Sequence, residues 1–216
     1  MRLLLFSLLL LTVAYSQAQT GGPNYYEMID SIHREPLAEW SAFRRARAYD
    51  RLAEMHYYVS QSDSSLYYNN RVFEIGHRLR SDTLLGLAYR GKSTLMMQLG
   101  QVQEALPYAD TATLYFQRAN YPRYVYLTQR NLGYQYARVG DCVASQRSLK
   151  LADSLMRSLD LSVLERAKFR NTYAAALEKC RHFELMPGII KELLPEVRKL
   201  KHPTLLGSYY NRLIIA

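Results

Sequence analysis

The 216-residue chain has little cysteine, only Cys142 and Cys180. Two thiols make no disulfide framework, so bridges alone do not hold this fold together. Histidines His33, His56, His77, His182 and His202 include no pair at i, i+4 and none at metal-ligand spacing from a cysteine, which argues against a metal site. There is no Gly-x-Ser-x-Gly elbow, and no base positioned to activate a cysteine, so the hydrolytic classes lose their usual signatures. Acid is also in deficit, with 19 Asp and Glu against 28 Lys and Arg and a net charge of +9. That balance favours acidic partners. The basic residues are dispersed and form no dense run, which speaks against nucleic acid.

Long apolar runs are missing too, except at the start. Met1 and Arg2 lead into the apolar stretch Leu3–Val13, and small residues follow at Ser16 and Ala18. Charged start, short apolar core and small-residue step read as a secretory signal peptide over 1–18, with cleavage after Ala18. The run is shorter than the roughly 18–20 residues of a membrane span, and no cysteine follows it to carry a lipid. The expectation is an exported protein of the periplasm or cell envelope of a bacterium, in a compartment where a disulfide can persist.

What the sequence does have is an internal period. Shifted against itself by ~40 residues, the chain aligns Tyr49, Tyr89, Gln129, Phe169 and Tyr209 in one column. The next column holds Asp50, Arg90, Arg130, Arg170 and Tyr210, and another the turn-compatible Ser60, Gly100, Gly140 and Cys180. Each turn lies between two stretches of helical periodicity, as in Leu132, Gly133, Tyr136 and then Leu149, Ala152, Leu155. The units are therefore helical hairpins. First helices are expected near 40–59, 83–99, 122–139, 162–180 and 203–216, and second helices near 63–80, 102–118, 142–158 and 183–200. Pro107, Pro187 and Pro195 predict irregularity in the second helices, with a kink in the last of these. Residues 19–36 read as a linker followed by a capping helix built on Tyr25, Met28, Ile29 and Ile32. Residues 37–216 then give four hairpins and the first helix of a fifth. The terminal Leu213-Ile214-Ile215-Ala216 lacks the polar face of an end cap, which favours a fragment of a longer chain.

The run Arg130-Asn-Leu-Gly-Tyr-Gln-Tyr-Ala-Arg-Val-Gly-Asp141 resembles the tetratricopeptide pattern of Asn-Leu-Gly, then Tyr, then Gly-Asp at the turn. Leu99-Gly100-Gln101 with Ala105, Ala109 and Ala112 resembles the same family in the second unit. The resemblance covers 45–216 and implies an all-α, right-handed solenoid of antiparallel helical hairpins, with helices longer than in the usual repeat of about 34 residues. A signal peptide ahead of long, Tyr-rich helical repeats also resembles the extracytoplasmic sensor regions of bacterial signalling proteins.

One deceptive motif needs removal. Gly86-Leu-Ala-Tyr-Arg-Gly91-Lys92-Ser93 satisfies the P-loop expression, but no strand precedes it and its register lies inside a first helix. The better candidate is the arginine column. By the resemblance, Arg90, Arg130 and Arg170 line the groove with Asn131, Asn171, Tyr134 and Arg138, among neighbours Tyr57, Met97, Ala137, Ala174 and Leu177. Guanidinium groups there suit an acidic peptide through bidentate pairing, whereas arginines bonded to acids of neighbouring helices would be structural. Cys142 and Cys180 fall near neighbouring turns, where they are either bridged or separate thiols. The expectation is a non-enzymatic protein or peptide-binding scaffold without cofactor, belonging to the sensor portion of a longer protein. The alternative is a structural assembly subunit that stacks through its open C-terminal repeat.

Overall fold

The computed structural model describes residues 23–215. The expected signal peptide and the first linker residues lie outside that range. Eleven α-helices and two short 3-10 turns make up the described residues, with no strand among them. We number them α1 (Tyr25–His33), α2 (Ala42–Tyr58), α3 (Ser62–Leu79), α4 (Asp82–Gln98), α5 (Val102–Arg118), α6 (Pro122–Arg138), α7 (Cys142–Ser158), α8 (Val163–Lys179), α9 (Met186–Lys191), α10 (Leu194–Lys199) and α11 (Pro203–Ile215).

Caps fix where several of these helices start. Ser41 accepts from the Arg44 N–H at 3.3 Å, and Asp141 from that of Ala144 at 2.9 Å. Ser162 and Glu165 form a reciprocal capping box at the start of α8. The stops are more uniform. Ser60, Arg80, Gly100, Asn120, Gly140 and Arg181 all have positive φ. In each case the next residue's N–H reaches back five residues, as from Gln101 to the Met96 carbonyl and from Asp141 to that of Tyr136, both at 2.9 Å. This is the left-handed helix stop that closes two orphan carbonyls. It recurs about every 20 residues as far as Gly140 and again at Arg181, so one device makes turns both within hairpins and between them, except between α7 and α8. In the fourth unit the left-handed residue is Arg181. Cys180, assigned to that column from the sequence, caps α8 instead.

Helices α2/α3, α4/α5 and α6/α7 pair as hairpins, with α3 packed on α4 and α5 on α6, giving an all-α solenoid. Its buried apolar side chains form four clusters along the interfaces among the described residues. Val72, Leu84, Leu87, Ala112 and Phe116 join the first two hairpins, and Leu149, Ala152, Phe169, Met186, Ile190 and Tyr209 fill the C-terminal half. Each large apolar side chain buried this way contributes about 1.5–3 kcal/mol. Helix α1 lays Ile29 on Leu52 and Met55 and so covers the first hairpin.

The array loses regularity after α7. Leu159 leaves the helix in extended conformation, and α8 packs on α6 more than on α7. The second helix expected near 183–200 is a 3-10 turn, Phe183–Leu185, followed by the two short helices α9 and α10. Pro187 and Pro195 each sit in a first turn, where a proline's missing N–H costs nothing, so the prolines restart helices here.

Candidate functional site

Arg90 stands in mid α4 and Arg130 in mid α6, on the face where α2, α4 and α6 lie side by side. Together with α2 they enclose a cavity of about 260 Å³. One wall is α2, which supplies Asp50, Glu54, Tyr57 and Tyr58. The other is α4 and α6, with Arg90, Thr94, Arg130 and Asn131.

The column identified from the sequence explains much of its electrostatics. Asp50 is 7% exposed, and its carboxylate accepts from Arg90 Nη2 at 3.4 Å, one period away. Arg47 adds a second cation at 3.9 Å. Asp50 is therefore a buried, neutralised carboxylate. Arg90 also lies over the Tyr124 ring, 5.4 Å from its centroid, and its buried Nε has no hydrogen-bond partner. Arg130 forms no ion pair among the described residues. Its Nε and Nη2 both donate to the Asn131 Oδ1 at 3.2 Å. Burial first and Glu54 second push the Tyr58 hydroxyl above its ordinary pKa, so it stays a neutral phenol in the cavity.

Beside this cavity, sharing Arg90, Thr94 and Asn131, is a cleft of about 20 Å³ that also touches Ser93, Met97 and Thr128. It has room for one water-sized group. Ser93 and Thr128 are 3% and 4% exposed, and neither hydroxyl finds a protein partner. With Arg90 Nε, three buried polar groups border one small space without an internal bond, a cost of about 1–3 kcal/mol each unless a guest satisfies them.

The remaining candidates go elsewhere. Arg170 is a correction: it is 1% exposed and held by Asp153 and Glu192, each at 2.6 Å, so it offers nothing to a groove ligand. Asn171 turns its Oδ1 to Ser208 and Arg212 of α11, at 2.8 and 2.9 Å. In both cases the C-terminal helices cover the position. Tyr134 packs against the C-terminal core, and Arg138, exposed at the end of α6, donates to Gln135 at 2.9 Å. Of the expected neighbours Tyr57 lines the cavity and Met97 the cleft, while Ala137, Ala174 and Leu177 are buried in the core. Sequence reasoning missed Glu54, Tyr58, Ser93 and Thr128. Glu54 was within reach, one helical turn beyond the acid that opens the column.

Cys142 and Cys180 form a disulfide, with Cα atoms 5.7 Å apart, that joins the start of α7 to the end of α8. The P-loop look-alike lies wholly within α4. An added Cβ at Gly86 would meet the Phe116 ring at 2.7 Å, and one at Gly91 would collide with the Asn69 amide, so both glycines permit close helix packing. His56 is buried, stacked on Tyr68 and bonded to Gln61 at 2.6 Å. No group of three or more His, Cys, Asp or Glu among the described residues is arranged to hold a metal ion.

Fold and site together define a helical-repeat solenoid with a charged cavity on its first-helix face. Among solved structures, BtubC (BKLC) from P. vanneervenii is similar to it, with a TM-score of 0.65 and 14% identity over 82% of this chain and 72% of that one. At that identity the likeness carries the fold alone. No protein-family model and no curated protein matches the sequence.

Proposed function

We propose that this chain is a non-enzymatic scaffold of the tetratricopeptide type, exported to a bacterial cell envelope, that binds a carboxylate-bearing segment of a protein partner. Arg130 and Asn131, with Arg90 Nε behind them, take the carboxylate. The sensor portion of a longer signalling protein is the setting that agrees with the exported character of the sequence. The observation that carries the reading is Arg130, a cation without an ion pair among the described residues, which lines the cavity beside Asn131 and Arg90. The adjoining cleft borders the buried Arg90, Ser93 and Thr128, whose Nε, Oγ and Oγ1 lack partners. An anion entering the cavity gains charge-assisted bonds from Arg130 in exchange for that side chain's neutral bonds to the Asn131 Oδ1.

The test is binding of the chain lacking residues 1–18 to labelled acidic and neutral peptides at low and high salt, beside the Arg130→Ala/Asn131→Ala variant. We expect binding that salt weakens and the variant loses, with its helical circular dichroism unchanged. Equal binding by both proteins, or none by either, would return the arginines to a packing role. A second reading, an assembly subunit, is favoured by Ile214 and Ile215 on α11, which are 81% and 51% exposed. It predicts concentration-dependent association that Ile214→Lys abolishes, measured by sedimentation.

A further inference from the structure

The cavity carries two uncompensated charges of opposite sign. Asp50 and Arg90 neutralise each other, which leaves Glu54 on the α2 wall and Arg130 on the α4/α6 wall. Neither takes part in any ion pair among the described residues. Although they line the same space, they do not close on one another: Arg130 turns to Asn131 and Glu54 stays exposed. Tyr57 and Tyr58 flank Glu54 on α2, edge to face at 5.4 Å, and Tyr58 is held from behind by its stack with Tyr25 at 4.7 Å. A carboxylate beside fixed aromatic faces is a receptor for an ammonium or guanidinium group, because charge and ring quadrupole attract the same cation. The opposite wall, with Arg130, Asn131 and Arg90, receives an anion.

We propose that the cavity selects a peptide segment bearing both charges, its carboxylate on the Arg130–Asn131 wall and its cationic side chain at Glu54 between Tyr57 and Tyr58. This rests on the scaffold reading above and narrows its ligand class. A segment of acids alone would set carboxylates against Glu54, and one of bases alone would meet Arg90 and Arg130. Size agrees: about 260 Å³ falls below the range of about 300–1,000 Å³ typical of a whole small-ligand pocket. The space fits neighbouring side chains of a longer chain that passes over the face. Polarity also sets direction, since a segment threaded backwards would place like charges together.

The experiment measures the affinity of the chain lacking residues 1–18 for peptides of equal length, carrying Glu and Lys at varied spacing, only Glu, only Lys, or neither. Wild type should prefer one mixed spacing over the all-Glu peptide by about fivefold, the yield of one exposed ion pair. Glu54→Gln should erase that preference without weakening the all-Glu peptide. Glu54→Lys should reverse it, and the exposed position leaves folding, followed by circular dichroism and melting, unaffected. All-Glu binding equal to or tighter than mixed, and lost in Arg130→Ala, would overturn the two-charge cavity while the scaffold reading stands. Absence of binding to every peptide would overturn both.

Discussion

Four of the five residues in one register along this chain are charged, and their surroundings decide what each does. Asp50 and Arg90 cancel, Arg130 has no ion pair among the described residues, and Arg170 is sealed between Asp153 and Glu192. Removing Arg170 leaves Glu192 uncompensated and Asp153 with only the exposed Arg157, at 3.1 Å; a broken pair costs about 3–5 kcal/mol where both partners are fully buried. The Asp153 and Glu192 side chains are 18% and 52% exposed, so water relieves part of that cost. Arg170→Ala should therefore lose about 3 kcal/mol, and Arg130→Ala at most about 0.5 kcal/mol, as is usual on a surface. Urea unfolding midpoints of the two variants decide it, and equal shifts would refute the assignment of Arg170 to the fold. The column itself was legible in the sequence, because a period of ~40 residues puts these positions in line. The fate of Arg170 was not. It depends on where Glu192 lands, and that follows from the break in the fourth second helix.

Helix starts and stops carry information of two kinds. The starts are written in side chains and are readable: Ser41, Asp141 and the Ser162/Glu165 box sit at or beside the expected boundaries. The stops are written in backbone conformation. Only Gly100 and Gly140 announce it, while Ser60, Arg80, Asn120 and Arg181 take the same left-handed turn with a side chain in place. That is why the sequence period places the fourth turn at Cys180, one residue before the left-handed Arg181. Close helix approach has its own signature. Gly86→Ala would press a methyl into the Phe116 ring, and overpacking of this kind costs about 1–3 kcal/mol. A thermal melt that does not move would show that Phe116 has room to yield. The α8 cap adds a pH signature. Burial raises the Glu165 pKa, but bonds from the Ser162 N–H and hydroxyl and the Arg123 cation outweigh it and hold the carboxyl below its ordinary value. A depressed folded pKa gives stability that is present above the unfolded value and is lost as pH falls through the folded one. Glu165→Gln should thus be less stable than wild type at neutral pH by up to about 1 kcal/mol, and the gap should close in acid below the ordinary value of 4.5. A gap equally wide at about pH 2 would assign the loss to packing instead of charge.

At the scale of the molecule, a solenoid is held together neighbour by neighbour, so its weakest interface sets where it opens. The least regular junction of this array lies between α7 and α8. The left-handed turn used elsewhere is replaced there by the extended Leu159, and α8 packs on α6 more closely than on α7, which it meets through side chains such as Arg170 on Asp153. The disulfide spans this same junction, closing a loop of 38 residues between Cys142 and Cys180. Loop closure of that length restrains the unfolded chain by about 2–4 kcal/mol. Arg170 pulls in the same direction, tying α8 to α7 through Asp153 and to the C-terminal helices through Glu192. The cavity lies on α2, α4 and α6, outside the cross-linked part. Reduction should therefore loosen the C-terminal helices and leave the cavity in place. In hydrogen exchange, amides of α8 through α11 should exchange faster after reduction, those of α4 and α5 should not change, and peptide affinity should hold. A Cys142→Ser/Cys180→Ser variant should reproduce this pattern without reductant. Faster exchange spread evenly over all helices would mean that the array unfolds as one unit, and that the bridge stabilises the whole chain instead of its last junction.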